Sequence, residues 1–338
     1  MFIFDMINGE AGFDPMIVLL VAMLVDTYIG SFQFSFHAAI HPANLLTRLI
    51  NFFDQRLNRD KRSERARRIR GFISAMLVIL ICIIAGGAIA WIARNHEWGW
   101  ILEFFVIVTL INQRGPFEQA KKVGRTLRDG SLEETRIELS NLAKRDPSQL
   151  DEYGIARTVI ESLGRNFSTN IIAPVFWYVL FGLPGLLVFK AINIMDTQIG
   201  HKDPKYQAFG FSAARIDDIL NIFPSRLAGL FLCMAAAFTP TANPLKAFKI
   251  MLRDVAKHRS LNTGWSTSAM AGALDLALAG PKRYPGRVVK DPWIGDGSAK
   301  ATHKDIRRAL YLYATACLIN GAWVAAIAVI RFDLLPGN

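Results

Sequence analysis

The stretch Gly71–Ala93 runs for 23 residues without one charged side chain. A helix needs about 20 apolar residues to cross the hydrocarbon core of a bilayer. This run therefore constrains the chain more than any other feature, because a membrane accommodates it and water does not. The composition agrees. Hydrophobic residues make up 52% of the chain, charged residues 20%, and the mean hydropathy is +0.26. Soluble domains carry about 25% charge. The charges also cluster in a few stretches that alternate with apolar runs. That layout excludes a disordered or fibrous chain and argues against a soluble enzyme.

Further segments follow the same reading. Residues 15–32 are apolar but broken by Asp26, and residues 98–112 are shorter and carry Glu103. Trp91, Trp98 and Trp100 flank the gap before that segment, where interfacial aromatics belong, so a tight helical hairpin is expected. Residues 171–195 hold Pro174, Pro184 and a central Phe-Gly-Leu-Pro-Gly, which predicts a kinked span or a re-entrant hairpin. Residues 309–330 form a span ended by Arg331 and Asp333. Residues 219–239 are interrupted by Pro224 and Arg226 and suit a buried or interfacial helix. The expected fold is an all-α integral membrane protein with four to six membrane segments. It forms one domain, 1–338, with a helical polar layer on the cytoplasmic side from 113–170, 196–218 and 241–308. Within that layer, Ser131 followed three residues later by Glu134 is a capping-box signature.

The chain has 39 Lys and Arg against 28 Asp and Glu, a net charge of +11 and a pI near 9.7. In a soluble protein that balance would point to nucleic acid. Here the basic excess lies beside apolar runs. Gln55–Arg70 holds eight Lys or Arg directly before the clearest span. The positive-inside rule and attraction to anionic lipid account for it, with no nucleic acid partner. The run places that end of the span in the cytoplasm. Asp5, Glu10 and Asp14 precede the first apolar segment, which argues for a retained membrane segment over a cleaved signal peptide. Cys82, Cys233 and Cys317 all lie in apolar runs without metal-ligand spacing and read as small buried residues.

The sequence lacks a Walker-type loop, a Gly-x-Gly-x-x-Gly turn, a Gly-x-Ser-x-Gly elbow and a His-Glu-x-x-His pair. What remains is a set of polar residues beside apolar runs. Lys190, Asn193 and Asp196 recur every three residues, which puts them on one stripe of a helix. Ionisable groups at the end of a membrane segment are functional candidates. Arg215, Asp217 and Asp218 stand where a helix enters an apolar stretch. Paired carboxylates there suit Mg²⁺ held through a phosphate, and Arg215 with Arg226 suits a bidentate phosphate clamp. A third cluster holds Arg253, Asp254, His258, Asn262, Trp265, Tyr284, Asp291, Trp293 and Asp296. The Gly and Pro density of 280–297 predicts an ordered loop there, of the kind that carries binding residues.

Several stretches together resemble a known family. They are "HPANLLTRLI" at 41–50, "LEETRIELSNLAKRDPSQL" at 132–150, "NIIAP" at 170–174, "KAINIMDTQIGHKDPKYQAFGFSAARIDDILNIFPSRL" at 190–227, "HRSLNTGWSTSAMAGAL" at 258–274 and "GPKRYPGRVVKDPWIGDG" at 280–297. The chain is similar to the cobalamin-biosynthesis membrane synthases (adenosylcobinamide-phosphate synthase, also called cobinamide-phosphate synthase). The resemblance implies an ATP-dependent carbon–nitrogen ligase of the bacterial inner membrane. Such an enzyme joins adenosylcobyric acid, a corrinoid, to aminopropanol phosphate or ethanolamine phosphate as an amide. It also implies Mg²⁺, and partners that are the bilayer, further copies of the chain or other membrane enzymes of the pathway. On this reading Asp196, Asp217 and Asp218 are metal or base candidates, with Asp217 and Asp218 the metal pair. Lys190, Arg215 and Arg226 hold phosphates. Asn193, Asn262, Trp265, Tyr284, Asp291, Trp293 and Asp296 shape the corrinoid or amine pocket.

Some positions depart from the family pattern. Gly30-Ser31-Phe32 stands where the family reads Gly-Asp-Pro, and Asn44 stands for an Arg. "RNFSTN" at 165–170 replaces Glu-Asn-Thr-Val-Asp-Gly, so Arg165 takes the place of the Glu and Thr169 that of the Asp. Thr267 stands where an acid follows Trp-Ser. These changes define an alternative: a paralogue that keeps the scaffold and acts on another substrate or as a membrane regulator.

Overall fold

In the computed structural model the structure describes residues 13–30, 41–59, 62–142, 150–201, 203–284, 287–289 and 291–334. Helices dominate. In chain order they begin with α1 (Pro15–Ile29), α2 (Pro42–Leu57), α3 (Glu64–Asn95), α4 (Trp100–Leu110), α5 (Arg114–Asp129) and α6 (Leu132–Leu142). Then come α7 (Glu152–Asn166), a π-helical turn Phe167–Ile172, α8 (Ala173–Ile199), α9 (Phe211–Leu220), α10 (Ile222–Ala236), α11 (Pro244–Asp254) and α12 (Leu261–Leu274). After four short strands, β1 (Leu278–Ala279), β2 (Lys282–Tyr284), β3 (Arg287–Val289) and β4 (Trp293–Ile294), the chain ends in α13 (His303–Leu334).

Among the described residues, three helical stretches are long and apolar enough to span a bilayer: Glu64–Asn95, Glu152–Ile199 and His303–Arg331. Taking α9 and α10 together as one broken span makes a fourth. Three is below the four to six expected from the sequence, and four is reached only with α9 and α10 taken as one span. The reason lies in two segments. α1 has only 15 residues, and the 98–112 segment folds as α4 with 11. At 1.5 Å per residue, α4 covers about 17 Å, roughly half of the hydrocarbon core. The expected hairpin is nevertheless present, because Gly99 has no Cβ to collide with the Ile92 carbonyl.

The chain packs as two compact units. The first comprises residues 1–112, 173–222 and 324–338; the second comprises 113–172 and 223–323. In the first, Ile50, Ala75, Ile192, Met195, Ile199, Phe209 and Ala213 form a core between α2, α3, α8 and α9. Close approach of α3 depends on two glycines: a Cβ at Gly71 would strike the Phe209 carbonyl, and one at Gly86 would meet the Pro184 backbone at 2.7 Å. α8 breaks at Gly182, whose φ of 65° and ψ of −155° leave the helical region. Only glycine adopts that conformation without steric cost.

A buried polar network closes the α3–α4 hairpin. Arg94 Nη1 donates to Glu103 Oε2 at 2.8 Å, and Tyr178 Oη donates to Glu103 Oε1 at 2.7 Å. Glu103 is 1% exposed and Tyr178 not at all.

The second unit packs α5, α6, α7, α10, α11, α12 and most of α13 around a larger apolar core. The capping box is as expected: Ser131 N–H donates to Glu134 Oε2, and Glu134 N–H donates to Ser131 Oγ, each at 3.2 Å. Residues 280–297 are more than a loop. β1 pairs antiparallel with β4, and β2 pairs antiparallel with β3, so the fold is helical with two small strand pairs. Cys82 and Cys233 are buried, and Cys317 is half-buried.

Candidate functional site

In the first unit, the stripe predicted on α8 faces α9 and α1. Asn193 Nδ2 donates to Asp217 Oδ1 at 3.1 Å. Asn221 Nδ2 donates to Asp217 Oδ2 at 3.0 Å. Both oxygens of Asp217 thus accept an amide hydrogen, and the carboxylates of Asp196 and Asp218 are close enough to act on it. Asp196 leans over Gly200, where a Cβ would displace its carboxylate. Asp218 pairs with Arg215 one turn away, at 3.5 Å.

Lys190 is 7% exposed, and buried Asp26 of α1 attracts it. Burial of opposite charges near a membrane segment is tolerated only as a pair. The structure therefore gathers Asn193, Asp196 and Asp218 around Asp217, with Arg215 joined through Asp218, and adds Asn221, while Lys190 faces Asp26 of α1. Asp26 was readable as a lone acid in an apolar run. Asn221 carried no sequence signal, since its role comes only from the turn that ends α9.

Among the described residues, no three His, Cys, Asp or Glu side chains are arranged to hold a metal ion. Mg²⁺ asks for less: one or two carboxylates, with water and substrate phosphate filling the shell. Asp217, with Asp196 and Asp218 close enough to act on it, is the candidate for that lesser requirement.

In the second unit the candidates fall into separate groups. The Arg226 guanidinium lies 5.0 Å from the centre of the Trp265 ring. Ser225 Oγ donates to Asn262 Oδ1 at 3.4 Å, so α10 and α12 meet there through polar groups. Trp293 covers Gly280, where a Cβ would come within 2.6 Å of the indole, and Arg157 stacks on the same ring at 5.4 Å. Tyr284 lies in β2 opposite Arg287.

Asp291 accepts from Arg259 Nε at 2.7 Å. Asp296 accepts from Arg253 at 3.1 Å and pairs with Lys246 at the same distance. Arg253 also binds Asp254, which is fully buried and further held by Lys257 and the Gly295 N–H. These bonds fasten the segments on either side of β4 to α11 and the chain that follows it. Asp291 and Asp296 are thus occupied by arginine and lysine, which favours a scaffolding use over a pocket use. Trp293 has the same character.

The Arg253 guanidinium holds Asp254 well below the usual carboxylate range, helped by Lys257 and the Gly295 N–H against the cost of burial. A carboxyl depressed in the folded state stabilises it fully at neutral pH, and this contribution is lost as pH falls below the ordinary carboxylate range. Asp254→Asn is expected to cost about 1–3 kcal/mol at pH 7. Melting in detergent at falling pH should show the gap to wild type shrinking below about pH 4. A gap independent of pH would contradict this account.

Of the positions that depart from the family pattern, Ser31 lies outside the described residues. Asn44 is in the first turn of α2, where its N–H bonds the His41 carbonyl. Arg165 is exposed at the end of α7, and the Thr169 hydroxyl donates to its carbonyl at 3.0 Å within the π-helical turn. Thr267 is 1% exposed, and its hydroxyl has no hydrogen-bond partner. Sequence periodicity had not revealed the π turn. Such turns frequently mark functional sites.

Comparison with known proteins gives a consistent result. A family model described as CobD/Cbib protein matches residues 19–313. A Sinorhizobium sp protein named cobalamin biosynthesis protein CobD is 39% identical over 318 residues, covering 93% of this chain and 98% of its own. The protein of that name from Brucella melitensis is 36% identical over 93% of this chain and 97% of its own. That from Rhodobacter capsulatus is 35% identical over the same shares. No solved structure matches the chain. With the family model covering most of its length, and relatives aligned nearly end to end, the chain belongs to the CobD/Cbib family.

Proposed function

We propose that this protein is an inner-membrane ligase that joins adenosylcobyric acid to aminopropanol phosphate or ethanolamine phosphate, at the expense of ATP, in cobalamin biosynthesis. The observation that carries the proposal is the Asp217 cluster: a carboxylate positioned by two amides, beside two further acids and an arginine, at the end of an apolar helix. Family membership supports the pathway.

The chemistry begins with attack of the corrinoid carboxylate on the terminal phosphate of ATP, which gives an acyl phosphate and ADP. The amine of the second substrate then attacks the acyl carbon, and inorganic phosphate leaves. The amine loses a proton in that step. Asp217 is the group proposed to take it, with Asn193 and Asn221 aiming its oxygens. Positioned bases of this kind contribute about 10²–10⁴-fold. Arg215 and Lys190 offset the negative charge of the phosphates. Arg226, whose guanidinium lies 5.0 Å from the Trp265 ring centre, and Asn262 are proposed as a separate substrate-binding group of the second unit. Mg²⁺ bound by Asp217 with Asp196 or Asp218 would lower the charge repulsion among the phosphates.

The basic run before α3 supports a cytoplasmic position for that end of the helix and hence for the site. The proposed partners are the two substrates, the bilayer, and further copies of the chain or other membrane enzymes of the pathway.

Arg165 and Thr267 favour a second reading. One inverts a charge of the family pattern, and the other leaves a buried hydroxyl without a partner. A scaffold altered in this way would bind corrinoid without ligating it. The test is to purify the protein in detergent, add adenosylcobyric acid, Mg²⁺-ATP and aminopropanol phosphate, and follow absorbance and product mass. Product formation supports the ligase. Corrinoid binding without product supports the second reading, and no corrinoid binding sinks the cobamide reading and leaves a scaffold with another ligand.

A further inference from the structure

Phe211, the first residue of α9, carries two guanidinium groups. Arg68 of α3 lies 4.4 Å from its ring centre, and Arg215 of α9 lies 5.3 Å from it. The two guanidinium carbons are therefore within about 10 Å of each other. Packing imposes this arrangement. Gly71 lets α3 touch the Phe209 carbonyl, and Arg68 lies one turn before Gly71 on the same face. Buried Arg67 donates to Asn58 Oδ1 at 3.1 Å and to the Lys205 carbonyl, which fixes the start of α3 against the chain leading into α9.

An exposed cation on an aromatic ring is worth about 0.5–1 kcal/mol. Bringing a second like charge to the same ring works against that gain. Arg68 has no acidic partner among the described residues. Arg215 has only the exposed, single-contact pair with Asp218 at 3.5 Å, and such pairs are worth at most about 1 kcal/mol. Phe211 is 38% exposed, so the platform is open to solvent. Two guanidinium groups beside one exposed ring offer the fork-shaped N–H donors that phosphate oxygens accept bidentately.

We infer that Arg68 and Arg215, held on Phe211, form a clamp for a phosphate monoester dianion. The inference deepens the proposed function, resting on the reading of the α8–α9 cluster as a substrate site, and assigns Arg68 to it. The same chemistry has two sources, a soluble phosphate monoester or an anionic lipid headgroup, and the test separates them.

The full chain in detergent is titrated calorimetrically with ethanolamine phosphate. In a second arm it is titrated after reconstitution in phosphatidylcholine nanodiscs with and without phosphatidic acid. Arg68→Gln and Arg215→Gln are each expected to weaken ethanolamine phosphate binding about tenfold or more, and Arg68→Lys less. Exposed Arg65, on the same helix, serves as a control, and Arg65→Gln should leave binding unchanged. If phosphatidic acid alone competes in an Arg68-dependent way, the clamp stands and its ligand is the headgroup. Wild-type affinity in Arg68→Gln, or no phosphate binding in either arm, overturns it. The ligation assay keeps the two ideas apart. Product formed by Arg68→Gln with an unchanged KM for the amine substrate removes the clamp and leaves the ligase. Arg68-dependent phosphate binding without any corrinoid turnover does the reverse.

Discussion

Replacing Asp217 by alanine is expected to lower kcat/KM for amide formation by roughly 10²–10³-fold while corrinoid binding persists. The reason is local. Asp217 takes a hydrogen bond on each oxygen, from Asn193 and Asn221, so its carboxylate is aimed before any substrate arrives. Asp196 and Asp218 add negative charge beside it, which favours a cation there. Asp217→Asn keeps the shape and removes the charge. It also puts an amide donor against amide donors, so it should be as inactive as the alanine variant. Asp218→Asn should cost far less, because Asp218 is exposed and its ion pair with Arg215 is a surface one. Steady-state kinetics on the three variants checks the ranking. Near wild-type turnover in Asp217→Asn would remove Asp217 from the chemistry.

The largest effect on stability is expected at Glu103. Glu103→Ala leaves Arg94, 8% exposed, without its carboxylate and takes the acceptor from the Tyr178 hydroxyl. Removing one partner of a buried ion pair costs about 3–5 kcal/mol, because the remaining charge is uncompensated. Glu103→Gln retains an acceptor for Tyr178 and should fall between the two. The double change Arg94→Met with Glu103→Leu should recover much of the loss, since apolar groups of similar volume replace a buried pair at little cost. Denaturation in mixed micelles followed by circular dichroism reads all four proteins. An alanine variant as stable as wild type would show that water reaches the Arg94 side chain.

Some of this protein was legible from its residues alone. The charge-free run 71–93 dictated α3, because only a helix satisfies every backbone group in lipid. Ser131 and Glu134 dictated the start of α6 through contacts three residues apart. The spacing of Lys190, Asn193 and Asp196 placed them on one stripe, since helical periodicity is local. Segment length was less legible. Apolarity does not say where a helix stops, so α4 was expected to be longer than it is.

The partners of these groups were not legible. Asn193 meets Asp217 across 24 positions of sequence, and Lys190 meets Asp26 from another helix. Arg68 looked like one of eight equivalent cations until the contact of Gly71 with Phe209 placed it on Phe211. Asp296 and Asp291 looked available until Arg253, Lys246 and Arg259 were found on them. Helix identity and one-face patterning follow from interactions within a few residues, and sequence by itself determines them here. Which charges are neutralised, and which are left to meet a ligand, depends on close packing between distant segments, and only the tertiary structure decides that.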